Sequence, residues 1–171
     1  MELSAVIEQH IEVHKFRAGT IVGATLLALL LQSFLPRYIH RASLLELPLL
    51  ITVYFGLSRR NPATGLLLGT IIGVLQDSLG PSPIGLYGIA KTIVGFVASS
   101  IGTRLDTEHP LSRLSLTIGF FALQQTVLVL TKRIILGLAE PFFSMQLLAS
   151  ALINGVIAVG LFMFLDRLRK P

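Results

Sequence analysis

The apolar residues of this chain come in blocks near bilayer-spanning length, not at amphipathic spacing, and this limits its fold more than any other feature. Of 171 residues, 53% are hydrophobic and 13% are charged. A soluble domain of this size carries about twice that charge. No polar insert is long enough for a separate catalytic domain. The chain therefore reads as all-α, a single polytopic membrane domain over residues 1–171.

Six spans are expected, at about 18–35, 44–57, 62–79, 84–103, 111–131 and 144–165. The second carries Glu46 and Pro48 near its start. Its 14 residues fall short of the ~20 that cross a bilayer, so it needs tilt, local thinning or extension toward Tyr38. Pro62 suits a first helical turn, and Gly80-Pro81-Ser82-Pro83 forces a tight break before the fourth span. With the N-terminus in the cytoplasm, nine Lys and Arg fall inside and four outside. The positive-inside rule then places both termini in the cytoplasm. Residues 1–17 carry Leu3, Val6, Ile7 and Ile11 opposite Glu8 and Glu12, the pattern of a short amphipathic helix on the inner leaflet or a partner. Segment 132–141 is a second interfacial helix or loop. The first apolar run has no small-residue cleavage site after it and reads as a retained span.

Within 64–102, Asp77 and Lys91 are the only charged residues. A charge at membrane depth is costly and is normally paired or functional. Asp77 lies about one turn before the break and Lys91 about two turns after it, so their depths differ by only ~6 Å in an antiparallel hairpin. A lysine stem covers that by snorkelling, which predicts an internal ion pair. The same charges also suit a polar contact with a partner. Gly65, Gly69 and Gly73 recur every four residues, and Gly88, Lys91, Gly95, Ser99 and Gly102 follow one face of the next span. Such rows let backbones approach closely. Either the two faces pack on each other, or one of them receives a helix from another protein. Gln124, Gln125 and Asn154 read as interhelical glue, and Glu46 sits near an interface where water can reach it.

Catalytic patterns are missing from the sequence. It has no cysteine, no phosphate-binding loop with its lysine, no metal-ligand cluster and no paired carboxylates. His10 and His14 stand at i and i+4 without a third ligand and read as surface residues. The four histidines all fall outside the spans, so no serine has a positioned base. No cofactor or nucleic acid is implied; the net charge of +5 is better matched to topology and anionic membrane lipid.

The run 48–57, Pro-Leu-Leu-Ile-Thr-Val-Tyr-Phe-Gly-Leu, resembles the second span of the rod shape-determining protein MreD family. The central segment is similar to that family's as well: Leu75-Gln76-Asp77, the Gly80–Pro83 turn, Gly85-Leu86, Ala90-Lys91-Thr92 and Gly95. The first 17 residues match poorly. The resemblance implies a non-enzymatic subunit of the bacterial elongation complex in the inner membrane. It implies association with MreC, a single-span periplasmic protein, and work alongside the RodA glycosyltransferase, a class B penicillin-binding protein and the MreB filament. The family fold is also similar to the substrate-binding subunits of energy-coupling factor transporters, so a solute-binding transporter subunit stands as the alternative. On this reading Asp77, Lys91 and Gln76 form a partner-binding or structural polar set. Gly65, Gly69, Gly73, Gly85, Gly88 and Gly95 form the helix-packing face.

Overall fold

The computed structural model describes residues 18–102 and 109–168, so the expected N-terminal amphipathic segment lies outside the described residues. Their elements are α1 (Ala18–Tyr38), a 3₁₀ turn (His40–Leu44), α2 (Leu47–Arg59), α3 (Pro62–Leu79), α4 (Leu86–Ile101), α5 (Pro110–Leu136) and α6 (Met145–Asp166). Local chemistry sets several boundaries. Asn61 Oδ1 accepts from the N–H groups of Ala63 and Thr64 at 3.0 and 3.2 Å, and Pro62 occupies the first turn of α3. Ser144 Oγ accepts from the Leu147 N–H at 3.2 Å and starts α6. Gly137, at φ 66°, ends α5 in the left-handed region. Helix α5 thus runs past its expected end at 131 and takes in the start of segment 132–141.

Five helices, counting α2 with the turn before it, are long and apolar enough to cross a membrane. Helix α4 is shorter, with 16 residues or roughly 24 Å, and begins at Leu86 rather than 84. Alternation of direction gives the bundle two ends. One holds the 3₁₀ turn, the α3–α4 turn and the α5–α6 loop; the other holds Arg59 and the end of α6.

Helix α2 is the axis of the bundle. It packs against α1, α3, α4, α5 and α6, and every residue from Pro48 to Ser58 is buried. The stretch Ala42–Arg59 is 72% buried, against 22% for α1. This accounts for the shortness of the second span. A helix sheathed by protein does not have to match the hydrocarbon thickness itself, and the 3₁₀ turn continues it toward Tyr38.

Helices α3 and α4 close on each other through glycine. A methyl group on Gly65 would enter Ser99 and the Gly95 carbonyl, and one on Gly69 would strike the Lys91 carbonyl. One on Gly73 would meet the Tyr87 carbonyl and lie 2.7 Å from Gly88 Cα. On the facing side, Gly95 sits against the Gly65 backbone. The hydroxyls of Thr70 and Thr92 meet across the seam at 2.7 Å. The two glycine rows therefore serve each other, and the expectation that one of them receives a partner helix is corrected. Gly85 is also corrected: a Cβ there would meet nothing within 4 Å. Its φ of 105° shows its role, a left-handed N-cap of α4.

Candidate functional site: a buried polar core with an open recess

The structure separates Asp77 from Lys91. Asp77 is 2% exposed and accepts from the backbone N–H groups of Gly85, Tyr87 and Gly88 at 2.9, 3.1 and 3.0 Å. It is thus the cap of α4, supplied by the preceding helix. The first N–H groups of a helix have no intrahelical acceptor, and the helix dipole favours an anion there. Those donors are closer to Asp77 than the lysine ammonium, which corrects the expected ion pair.

Lys91 is fully buried and turns inward instead. Its Nζ donates to Gln124 Oε1 at 2.7 Å, lies 3.7 Å from Glu46 Oε2 and stands 4.7 Å from the centroid of the Tyr87 ring. Its counter-charge is therefore Glu46, so the reading of Glu46 as a merely interfacial residue is corrected, although it also lines two recesses. Glu46 is 8% exposed. The Tyr87 hydroxyl donates to Glu46 Oε1 at 3.3 Å, and Gln76 Nε2 donates to Glu46 Oε2 at 3.4 Å. Gln76 Oε1 and Gln124 Nε2 are buried with no hydrogen-bond partner. Asn154 behaves as expected of glue. It donates to the Leu44 and Ser150 carbonyls and accepts from the Glu46 N–H, all at 2.8 Å, and so fixes the start of α2. Gln125 does not join the core; it lines a recess beside it.

Two cavities flank the Glu46–Tyr87 contact. The larger, about 650 Å³, lies between α1, the 3₁₀ turn and the α3–α4 turn, and the smaller, about 280 Å³, lies toward the α5–α6 loop. Both count Ser43, Glu46 and Tyr87 in their walls. At the opposite end, Arg113 Nη2 meets Asp166 Oδ2 at 2.6 Å, and the Tyr54 hydroxyl donates to Asp166 Oδ1 at 2.8 Å. This second cluster ties α2, α5 and α6 together.

A third feature is apolar. Helices α1 and α6 do not pack against each other. Between them runs a trough of about 570 Å³, walled by Gly19, Gly23 and Leu27 of α1 and by Leu161 and Phe164 of α6, with Leu47 and Ile51 in its floor. A methyl group on Gly19 or Gly23 would meet nothing within 4 Å. The glycines that line this trough are thus open, unlike Gly65, Gly69 and Gly73, whose spacing drew attention in the sequence.

Among the described residues, no group of His, Asp or Glu is placed to hold a metal ion. The molecule is a multi-pass helical membrane protein with four charged residues, Glu46, Asp77, Lys91 and Arg113, buried within the bundle among the described residues. The family model for the rod shape-determining protein MreD matches residues 13–170. The chain belongs to that family, which is one of cell-shape determination. No curated protein and no solved structure matches it.

Proposed function

We propose that the protein is a non-enzymatic scaffold of the rod complex in the bacterial inner membrane. It binds the single span of MreC and so helps to organise lateral peptidoglycan synthesis. RodA, a class B penicillin-binding protein and, on the cytoplasmic side, MreB complete the assembly. Both termini face the cytoplasm, which puts the polar recesses on the outer side. The observation that carries the reading is the open trough between α1 and α6. In lipid, helices associate through close packing and polar contacts rather than through hydrophobic burial, so a small-residue face left open suits a partner helix. The α3–α4 face does not offer one.

The test is Gly23→Leu. The added Cβ meets nothing within 4 Å and the rest of the side chain has the trough of about 570 Å³ to enter, so folding should be retained. Filling the trough should weaken co-purification of MreC by about tenfold, the scale of an overpacked contact. The variant should also round the cells of a rod-shaped host. Unchanged MreC recovery would refute the placement. The alternative, a solute-binding transporter subunit, draws on the larger recess. The bundle interior beside it is less favourable, because Lys91 and Gln124 there bond each other and are both fully buried. Saturable binding of a small solute by the isolated chain, with unchanged cell shape on depletion, would favour transport.

A further inference from the structure

The larger recess has a polarity of its own that the scaffold reading does not use. Its deep end is rich in acceptors that lack donors. A carboxylate offers about four lone-pair sites. Glu46 fills its sites only at long range, with Tyr87 at 3.3 Å, Gln76 at 3.4 Å and Lys91 at 3.7 Å. Lys91 makes its shortest bond, 2.7 Å, to Gln124 instead. Beside Glu46 the buried Gln76 Oε1 has no donor at all. The amide cannot turn over to correct this, because its NH₂ group faces the Glu46 carboxylate.

The rim has the opposite character. Arg37, in the last turn of α1, lines the mouth and lies over the Phe34 ring at 5.5 Å. It forms no ion pair among the described residues. A guanidinium presents a planar fork of donors matched to phosphate oxygens. Phe34 and Leu79, on the two helices that bound the mouth, are 51% and 52% exposed and turn apolar surface outward.

A cavity with acceptors at its base and a cation at its lip fits a zwitterion that enters ammonium first. We propose that this recess binds a phosphoethanolamine headgroup. The primary ammonium donates to Glu46 and to Gln76 Oε1, and the phosphodiester lies on Arg37. Phosphatidylethanolamine of the surrounding leaflet carries this chemistry, as does its deacylated form, glycerophosphoethanolamine. The proposal rests on the recess alone and is independent of the MreC trough.

The experiment is native mass spectrometry of the full chain in mild detergent. The probes are lipids with identical acyl chains and zero, one, two or three methyl groups on the headgroup nitrogen. Each methyl removes an N–H donor while the phosphate stays the same. Retention should fall along the series and differ by about tenfold between its ends, the scale of one hydrogen bond to a charged group. Gln76→Leu should flatten the series. Arg37→Gln should lower retention of every member and leave their ratio intact. Competition by millimolar glycerophosphoethanolamine would show that the headgroup suffices; failure to compete would show that the acyl chains contribute and that the lipid is the natural source. A flat series with the unaltered chain would overturn the proposal without recourse to any variant. An undiminished ratio in folded Gln76→Leu would overturn it as well.

Discussion

Replacing Lys91 with methionine probes the polar core most directly. Its ammonium is fully buried and lies 3.7 Å from a carboxylate that is itself nearly buried. At an effective dielectric constant of about 20, attraction at that distance is about 4 kcal/mol. Removing one member of a buried pair costs about 3–5 kcal/mol, because the other is left uncompensated. Lys91→Met also takes the donor from Gln124 Oε1, and Gln124 Nε2 already lacks a partner. Each of Lys91→Met and Glu46→Gln should therefore destabilise the protein by about 3–5 kcal/mol. The double variant leaves no orphan charge and should lose less than the sum by about 2 kcal/mol, well outside the scatter of independent sites. The assay is reversible unfolding in mixed micelles, titrated with a denaturing detergent and followed by far-UV circular dichroism. A parallel cycle of Asp77→Asn with Lys91→Met should give the smaller coupling, since Asp77 is held by backbone N–H groups. If Asp77 couples to Lys91 more strongly than Glu46 does, the assignment of the counter-charge is wrong.

The same unfolding assay checks the glycine seam. Gly69→Ala should cost about 1–3 kcal/mol, because the Lys91 carbonyl it would strike belongs to a rigid backbone. Leu67→Ala, at a side chain 59% exposed on the outer face, should cost less. Asp77→Ala orphans three N–H groups and should lose about 3 kcal/mol or more, with Asp77→Asn intermediate because one acceptor remains. Hydrogen exchange at Gly85, Tyr87 and Gly88 should accelerate in both variants. Topology is testable by single-cysteine labelling in a chain that has none of its own. Ser82→Cys and Glu140→Cys should label from outside, and Ser4→Cys and Lys170→Cys only after permeabilisation; outside labelling at 170 refutes the orientation.

The helices were legible because their signal is local. Block length, Pro62 in a first turn and the Gly80–Pro83 break mark boundaries without knowledge of any neighbour. The α3–α4 seam was half legible. Spacing by four revealed the glycine rows, but only packing shows that the rows face each other and that Gly85 serves a turn instead. Glu46 was not legible as the partner of Lys91. It stands 45 positions away at the start of a short span, where an acid reads as solvated, and Asp77 was the nearer candidate in sequence. What could have drawn attention to it was the shortness of that span. A 14-residue apolar run is anomalous next to lipid and ordinary at the centre of a bundle, and an acid at its start then falls inside.

The central position of α2 also has a consequence for how the chain is made. Helix α2 leaves the ribosome after α1, but the other four of the five helices that sheathe it, α3, α4, α5 and α6, follow later. Its stretch has a mean hydropathy of 1.2, against 1.8 for α1 and 2.2 for α6, and it carries Glu46 before Lys91 has been synthesised. Membrane integration of α2 is therefore expected to be provisional until the C-terminal half arrives. In Leu50→Cys chains arrested after 79, 102 and 168, the thiol should be accessible to aqueous reagents in the first, less so in the second and protected only in the last, where position 50 is fully buried. Equal protection at all three lengths would mean that α2 settles unaided. On the expected outcome, quality-control proteases meet this subunit chiefly as an unfinished chain, and the last helix to emerge decides whether the second is kept.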